Sequence, residues 1–161
     1  MVGKVGIILG SKSDLPYIES CIKTLKELGI DYEVKIASAH RTPELVEEFV
    51  KREDIDLFIA AAGYAAHLPG VVASKTIKPV IGIPIDSSPL MGGLDALLSI
   101  VQMPPGIPVA TVTVGKAGGT NAAVLAAQIL ALKYPQIVEK LKKYREKMKE
   151  KVIKANEEIN L

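Results

Sequence analysis

The sequence predicts an α/β fold: a three-layer α/β/α sandwich built on a parallel sheet, with an added C-terminal helix. Two patterns carry this. Short continuous apolar runs alternate with longer amphipathic stretches from one end of the chain to the other. The runs lack the in–out alternation of a half-solvated sheet, so helices are expected to cover both faces. A length of 161 residues suits one domain, 1–161, with a sizeable core.

Each element has a local reason. Val5–Leu9 (VGIIL) reads as a strand buried on both faces. From Leu15 to Leu28, Leu15, Ile18, Ile22, Leu25 and Leu28 share one helical face, and Gly29 stops the helix. Tyr32–Ala37 is the second strand. Thr42-Pro43-Glu44 opens the next helix, with Thr42 as N-cap, proline in the first turn and an acid at the positive end of the dipole. Leu57–Ala62 is a third strand, followed by a short helix over Val71–Lys75. Val80–Ile85 is the fourth strand and Leu94–Val101 a helix. Val109–Val114 is the fifth strand, and the alanine-rich Asn121–Lys133 a helix. After Pro135, the densely charged segment 136–160 places Ile137, Leu141, Tyr144, Met148 and Val152 on a narrow helical stripe. That stripe is expected to lie along the domain or a neighbouring subunit. Right-handed crossovers put every strand-to-helix loop on one edge of the sheet, where ligands bind in such folds.

Composition narrows the function. With 20 basic and 18 acidic residues the net charge is +2, too small to argue for nucleic acid or a membrane surface. No run of about 18 apolar residues is present. Met1–Gly10 reads as a first strand rather than a signal peptide. Cys21 is the single cysteine; it excludes an internal disulfide and a thiolate metal cluster, and its apolar helical neighbours favour a buried thiol over a nucleophile.

The chemically informative residues fall in the edge loops. Gly10-Ser11-Lys12-Ser13-Asp14 precedes a helix, where free N–H groups and the dipole favour an anion. Ser-x-x-Asp is equally a capping arrangement, so both readings stand. It is neither a dinucleotide fingerprint nor a Walker loop. The next edge loop is Ser38-Ala39-His40-Arg41-Thr42-Pro43. In a chain with three arginines against 17 lysines, a planar bidentate donor at this edge suits phosphate or carboxylate recognition. The alternative is a surface ion pair. The other histidine, His67, closes Gly63-Tyr64-Ala65-Ala66-His67. It is either a structural backbone partner or, with His40 on the adjacent loop, a group suited to proton transfer near neutral pH. No third metal ligand accompanies the two histidines. Met103–Pro108 reads as a rigid connection.

Together GSKSD (10–14), SAHRTP (38–43), AAHLPG (65–70), LLSIVQMPPGIPVATV (97–112) and GKAGGTNAAVLAAQIL (115–130) resemble the class I N5-carboxyaminoimidazole ribonucleotide (N5-CAIR) mutase family. SAHRTP with AAHLPG is the specific pair. The resemblance runs from Val5 to about Leu132. It implies a flavodoxin-like fold and a cytoplasmic homo-octamer, with active sites built from more than one subunit, that works on a small nucleotide without metal or organic cofactor. It also implies an isomerase of purine biosynthesis that converts N5-CAIR to 4-carboxy-5-aminoimidazole ribonucleotide (CAIR) by decarboxylation and recarboxylation. By the same likeness His40 is the general acid/base and His67 assists. Ser11, Ser13 and Arg41 hold the phosphate, Asp14 the ribose hydroxyls, and Ser38 belongs to the substrate-binding loop. Backbone amides of Gly63, Ala65 and Ala66 face the migrating carboxylate. The sequence departs from the commonest family pattern at Tyr64, where glycine is frequent, and in the Ser87–Leu94 loop. Two other functions share the fold: direct carboxylation of aminoimidazole ribonucleotide by CO2, and nucleotide or FMN binding without catalysis.

Overall fold

The computed structural model describes residues 2–159. The five strands are β1 (Lys4–Leu9), β2 (Asp31–Ile36), β3 (Leu57–Ala62), β4 (Val80–Pro84) and β5 (Ala110–Thr111). The six helices are α1 (Leu15–Leu28), α2 (Pro43–Val50), α3 (Leu68–Ser74), α4 (Leu94–Val101), α5 (Ala117–Ala131) and α6 (Gln136–Glu157). All strand pairs are parallel and the order is β2-β1-β3-β4-β5. That is the flavodoxin-like order, with its switch point between β1 and β3.

The pleat explains the two cores. Val5, Ile7 and Leu9 of β1, Leu57, Ile59 and Ala61 of β3, and Ile81 and Ile83 of β4 point to one face, where α1, α5 and Ile137 of α6 cover them. Ile8, Phe58, Ala60 and Val80 point to the other, against Val46 and Phe49 of α2, Val72 of α3 and Ile100 of α4. β3, buried at every position, is the centre of the sheet. The lighter burial of β2 marks it as an edge.

Four local expectations are corrected. β5 pairs over two residues rather than Val109–Val114: it is an edge strand preceded by Pro108, which has no N–H to donate, and is followed by Gly115 at φ 79°. Helix α3 begins at Leu68, three residues early, because Pro69 is well accommodated in a first turn. Helix α5 begins at Ala117 and ends at Ala131, since Gly118 and Gly119 tolerate helical geometry and pack closely there. Thr42 occupies the N-cap position of α2, but its side chain makes no capping bond. Its Oγ1 instead accepts from the Ser38 N–H at 2.9 Å, which fixes the preceding loop. Helix α6 follows the expected stripe through Leu141 and Tyr144 onto the core and ends at Glu157; position 160 of that expectation lies outside the described residues.

Candidate active site

A cleft of about 790 Å³ opens at the C-terminal ends of the strands. The loop after β1 supplies Gly10, Ser11, Ser13 and Asp14, and the loop after β2 supplies Ser38, His40 and Arg41. Gly63 to Leu68 follow β3, and Ser87 follows β4. The cleft therefore straddles the β1/β3 switch point, where the helices following the two strands leave opposite faces of the sheet and the loops part. All ten expected site residues line it: Ser11, Ser13, Asp14, Ser38, His40, Arg41, Gly63, Ala65, Ala66 and His67.

The first loop is held by its own side chains. Ser11 Oγ accepts from the Ser13 N–H at 3.3 Å, and Asp14 Oδ2 accepts from the Ser11 N–H at 3.0 Å. The capping box anticipated as one reading is thus formed, at the start of a short 3₁₀ turn leading into α1. It leaves the Ser11 and Ser13 hydroxyls facing the cleft, 3.0 Å apart. Burial raises the Asp14 carboxyl above its ordinary value, against hydrogen bonds from Ser11, Ser13 and the Gly10 backbone and the Arg41 charge, which all lower it.

Arg41 spans two loops. Its guanidinium donates to the Gly10 carbonyl at 3.2 Å, and its backbone N–H donates to Ser38 Oγ at 3.2 Å. Arg41 forms no ion pair among the described residues, so the surface-pair alternative is not what the fold uses. An arginine with no carboxylate partner, beside two serine hydroxyls and a helix start, suits a phosphate dianion.

The histidines meet. His40 Nε2 lies 2.9 Å from His67 Nδ1, with the rings edge to face at 5.0 Å between centroids. One nitrogen must carry the hydrogen and the other the lone pair. The loops after β2 and β3 thereby make a proton-sharing pair exposed to the cleft.

The floor beside this pair is made of small residues. A Cβ on Gly63 would sit 2.4 Å from Ser87 Oγ, so glycine there lets the β4 loop close over the β3 loop. Tyr64 has φ 55°, a left-handed geometry that costs a non-glycine residue roughly 1–2 kcal/mol. Ser87 and Leu68 were not among the expected site residues. For Ser87 the signal was present, since it follows a strand at the ligand edge; Leu68 was masked by its apolar character.

A groove of about 930 Å³ lies at the opposite edge, lined by Gly3, Lys4, Asp31, Asp54, Asp56 and Tyr134 among others. Two of its carboxylates are already paired: Lys4 and Arg52 meet Asp54, with Glu33 beside them, and Lys133 meets Asp56. Cys21 is buried on α1, and burial pushes its thiol up to about 12, which leaves it inert.

The chain is similar to known proteins over nearly its whole length. Residues 4–151 match the family described as AIR carboxylase. The chain is 61% identical over 153 residues to the N5-carboxyaminoimidazole ribonucleotide mutase of Methanocaldococcus jannaschii, covering 95% of both. It is 48% identical over 158 residues to the mutase of Bacillus subtilis, covering 96% of this chain and 97% of that one. The crystal structure of Treponema denticola PurE superimposes with a TM-score of 0.84 at 32% identity over 99% of each chain.

Proposed function

This chain belongs to the AIR carboxylase family, and on that premise we infer that it is an isomerase of purine biosynthesis that converts N5-CAIR to CAIR. The observation that carries the mechanism is the 2.9 Å contact between His40 and His67 inside a cleft that also holds an unpaired arginine and two hydroxyls. Ser11, Ser13 and Arg41 hold the phosphate, Asp14 the ribose hydroxyls, and Ser38 keeps the Arg41 loop in register. The N–H groups of Gly63, Ala65 and Ala66 turn to the carboxylate.

The reaction is then a short sequence of balanced steps. The N5–carboxyl bond breaks, its electron pair stays on N5, and His40 delivers a proton there as CO2 departs. C4 of the same imidazole attacks the CO2, forming the new C–C bond, and the C4 proton passes back to His40. One group gives a proton and takes one, which an imidazole, able to donate or accept at its ring nitrogens, does well. His67 receives or supplies the proton of His40 Nε2 and so keeps its tautomer matched to each step. Trapping both fragments in one cleft replaces tight CO2 binding. These steps need no metal or organic cofactor.

The whole chain acts as one domain within a homo-octamer in the cytoplasm. Leu94, Leu98 and Val101 form an exposed stripe on α4, continued by Leu90 and Met91, and apolar surface of this kind supports self-association. No helix among the described residues is long and apolar enough to cross a membrane. The mechanism is tested by His40→Asn: turnover of N5-CAIR should be lost while nucleotide binding by calorimetry persists. Retained turnover in that variant removes His40 from the mechanism.

A further inference from the structure

Among the described residues Tyr64 is alone, glycines aside, in having a positive φ. An aromatic residue rarely adopts this conformation, and a strained residue at a cleft points to a role there. Packing within the chain does not account for it: Tyr64 is 61% exposed. Around it the wall is made of Gly63, Ala65, Ala66 and Ser87, all small. The backbone N–H groups of Tyr64, Ala65 and Ala66 donate to no backbone carbonyl among the described residues, so these donors remain available to a ligand.

The chemistry needs such a ring. The nucleotide offers phosphate, hydroxyls and a carboxylate, which arginine, serine and amides can hold. CO2, once free of N5, is neutral and apolar, and none of those groups retains it. Only a wall that shuts the open side of the cleft can do so. Leu68 is the other large apolar side chain of the lining and is already buried. Among the side chains that this chain contributes to the lining, Tyr64 alone is large, apolar-faced and exposed.

We propose that Tyr64 is a substrate-contacting residue whose ring stacks over the bound imidazole and closes the carboxylate end of the cleft, so that the CO2 released from N5 is captured by C4 before it escapes. This inference rests on the mutase reading of the site. Aromatic faces stack readily on planar heterocycles, and Tyr64 lines the cleft while remaining exposed rather than packed in the core.

The test is isotopic. Unlabelled N5-CAIR is turned over in 13C-bicarbonate with carbonic anhydrase present, and the label in CAIR is read by mass spectrometry. The wild-type product should carry little label. Tyr64→Gly, which suits the left-handed backbone and should melt no lower than wild type, should incorporate about fivefold more label per turnover. Tyr64→Phe, which keeps the ring, should label as wild type does. Equal labelling in wild type and Tyr64→Gly overturns the proposal, as does Tyr64→Phe leaking like Tyr64→Gly or a wild-type product already at the solvent isotope ratio. Failure of the wild-type protein to convert N5-CAIR at all would instead remove the mutase reading, which separates the two.

Discussion

His40 and His67 are 27 residues apart in sequence and 2.9 Å apart in space. That both would reach the ligand edge was legible, because each follows a strand; that they would touch was not, because contact depends on how two loops lean over the switch point. The pair makes His67→Asn informative beside His40→Asn. His67→Asn should lower kcat by about 10²-fold with a smaller change in KM, since it removes the partner of the base and not a phosphate ligand. Steady-state kinetics at saturating and limiting N5-CAIR check this, and an effect confined to KM would make His67 a binding residue. The place of Ser87 after a strand at the ligand edge is legible in the sequence, but its close approach to Gly63 is visible only in the fold. Cys21 gives a chemical control. A thiol pushed up to about 12 by burial is almost wholly protonated at pH 8, so a thiol-reactive dye should label the native protein negligibly and the denatured protein fully.

Elements are legible in the sequence where periodicity and stop signals agree, as in α1, which runs from Leu15 to a left-handed Gly29. Propensity misleads where glycines sit inside a helix. Gly118 and Gly119 look like loop residues by propensity, yet α5 needs them for close approach. A Cβ on Gly119 would lie 2.7 Å from the Tyr17 carbonyl and 3.2 Å from the Cys21 nitrogen on α1. Gly119→Ala should therefore lower stability by about 2 kcal/mol, although alanine favours a helix interior by about 1 kcal/mol; urea titration decides between the two effects. At the opposite edge, hydrogen bonds from Arg52 and then Lys4 hold Asp54 well below the usual carboxylate range, and Lys4 and then Arg52 lower Glu33. Depressed folded values mean that this network stabilises the fold fully above the ordinary carboxylate range and loses its effect as the pH falls from that range through the lowered folded values. Asp54→Asn should thus lower Tm at pH 7, and the gap to wild type should narrow below about pH 3. A gap independent of pH would show that the side chain matters through packing and not through charge.

At the scale of the whole molecule, the strand order and the position of the cleft follow from alternation and handedness, which is why the architecture was legible while the length of β5 was not. What alternation cannot convey is the exposed face of α4, where Leu94, Leu98 and Val101 continue outward from a helix whose Ala96 and Ile100 are buried. The octameric assembly proposed for the chain predicts a light-scattering mass near eight times 17.2 kDa, and Leu98→Glu should shift it to smaller species. A wild-type monomer at micromolar concentration would contradict the assembly. The central claim is tested most directly by turnover of freshly prepared N5-CAIR, run beside aminoimidazole ribonucleotide with bicarbonate. The account predicts rapid formation of CAIR from N5-CAIR and only slow formation from the second mixture, even at high bicarbonate. Rapid product from aminoimidazole ribonucleotide and bicarbonate, with none from N5-CAIR, would contradict it and make the protein a direct carboxylase.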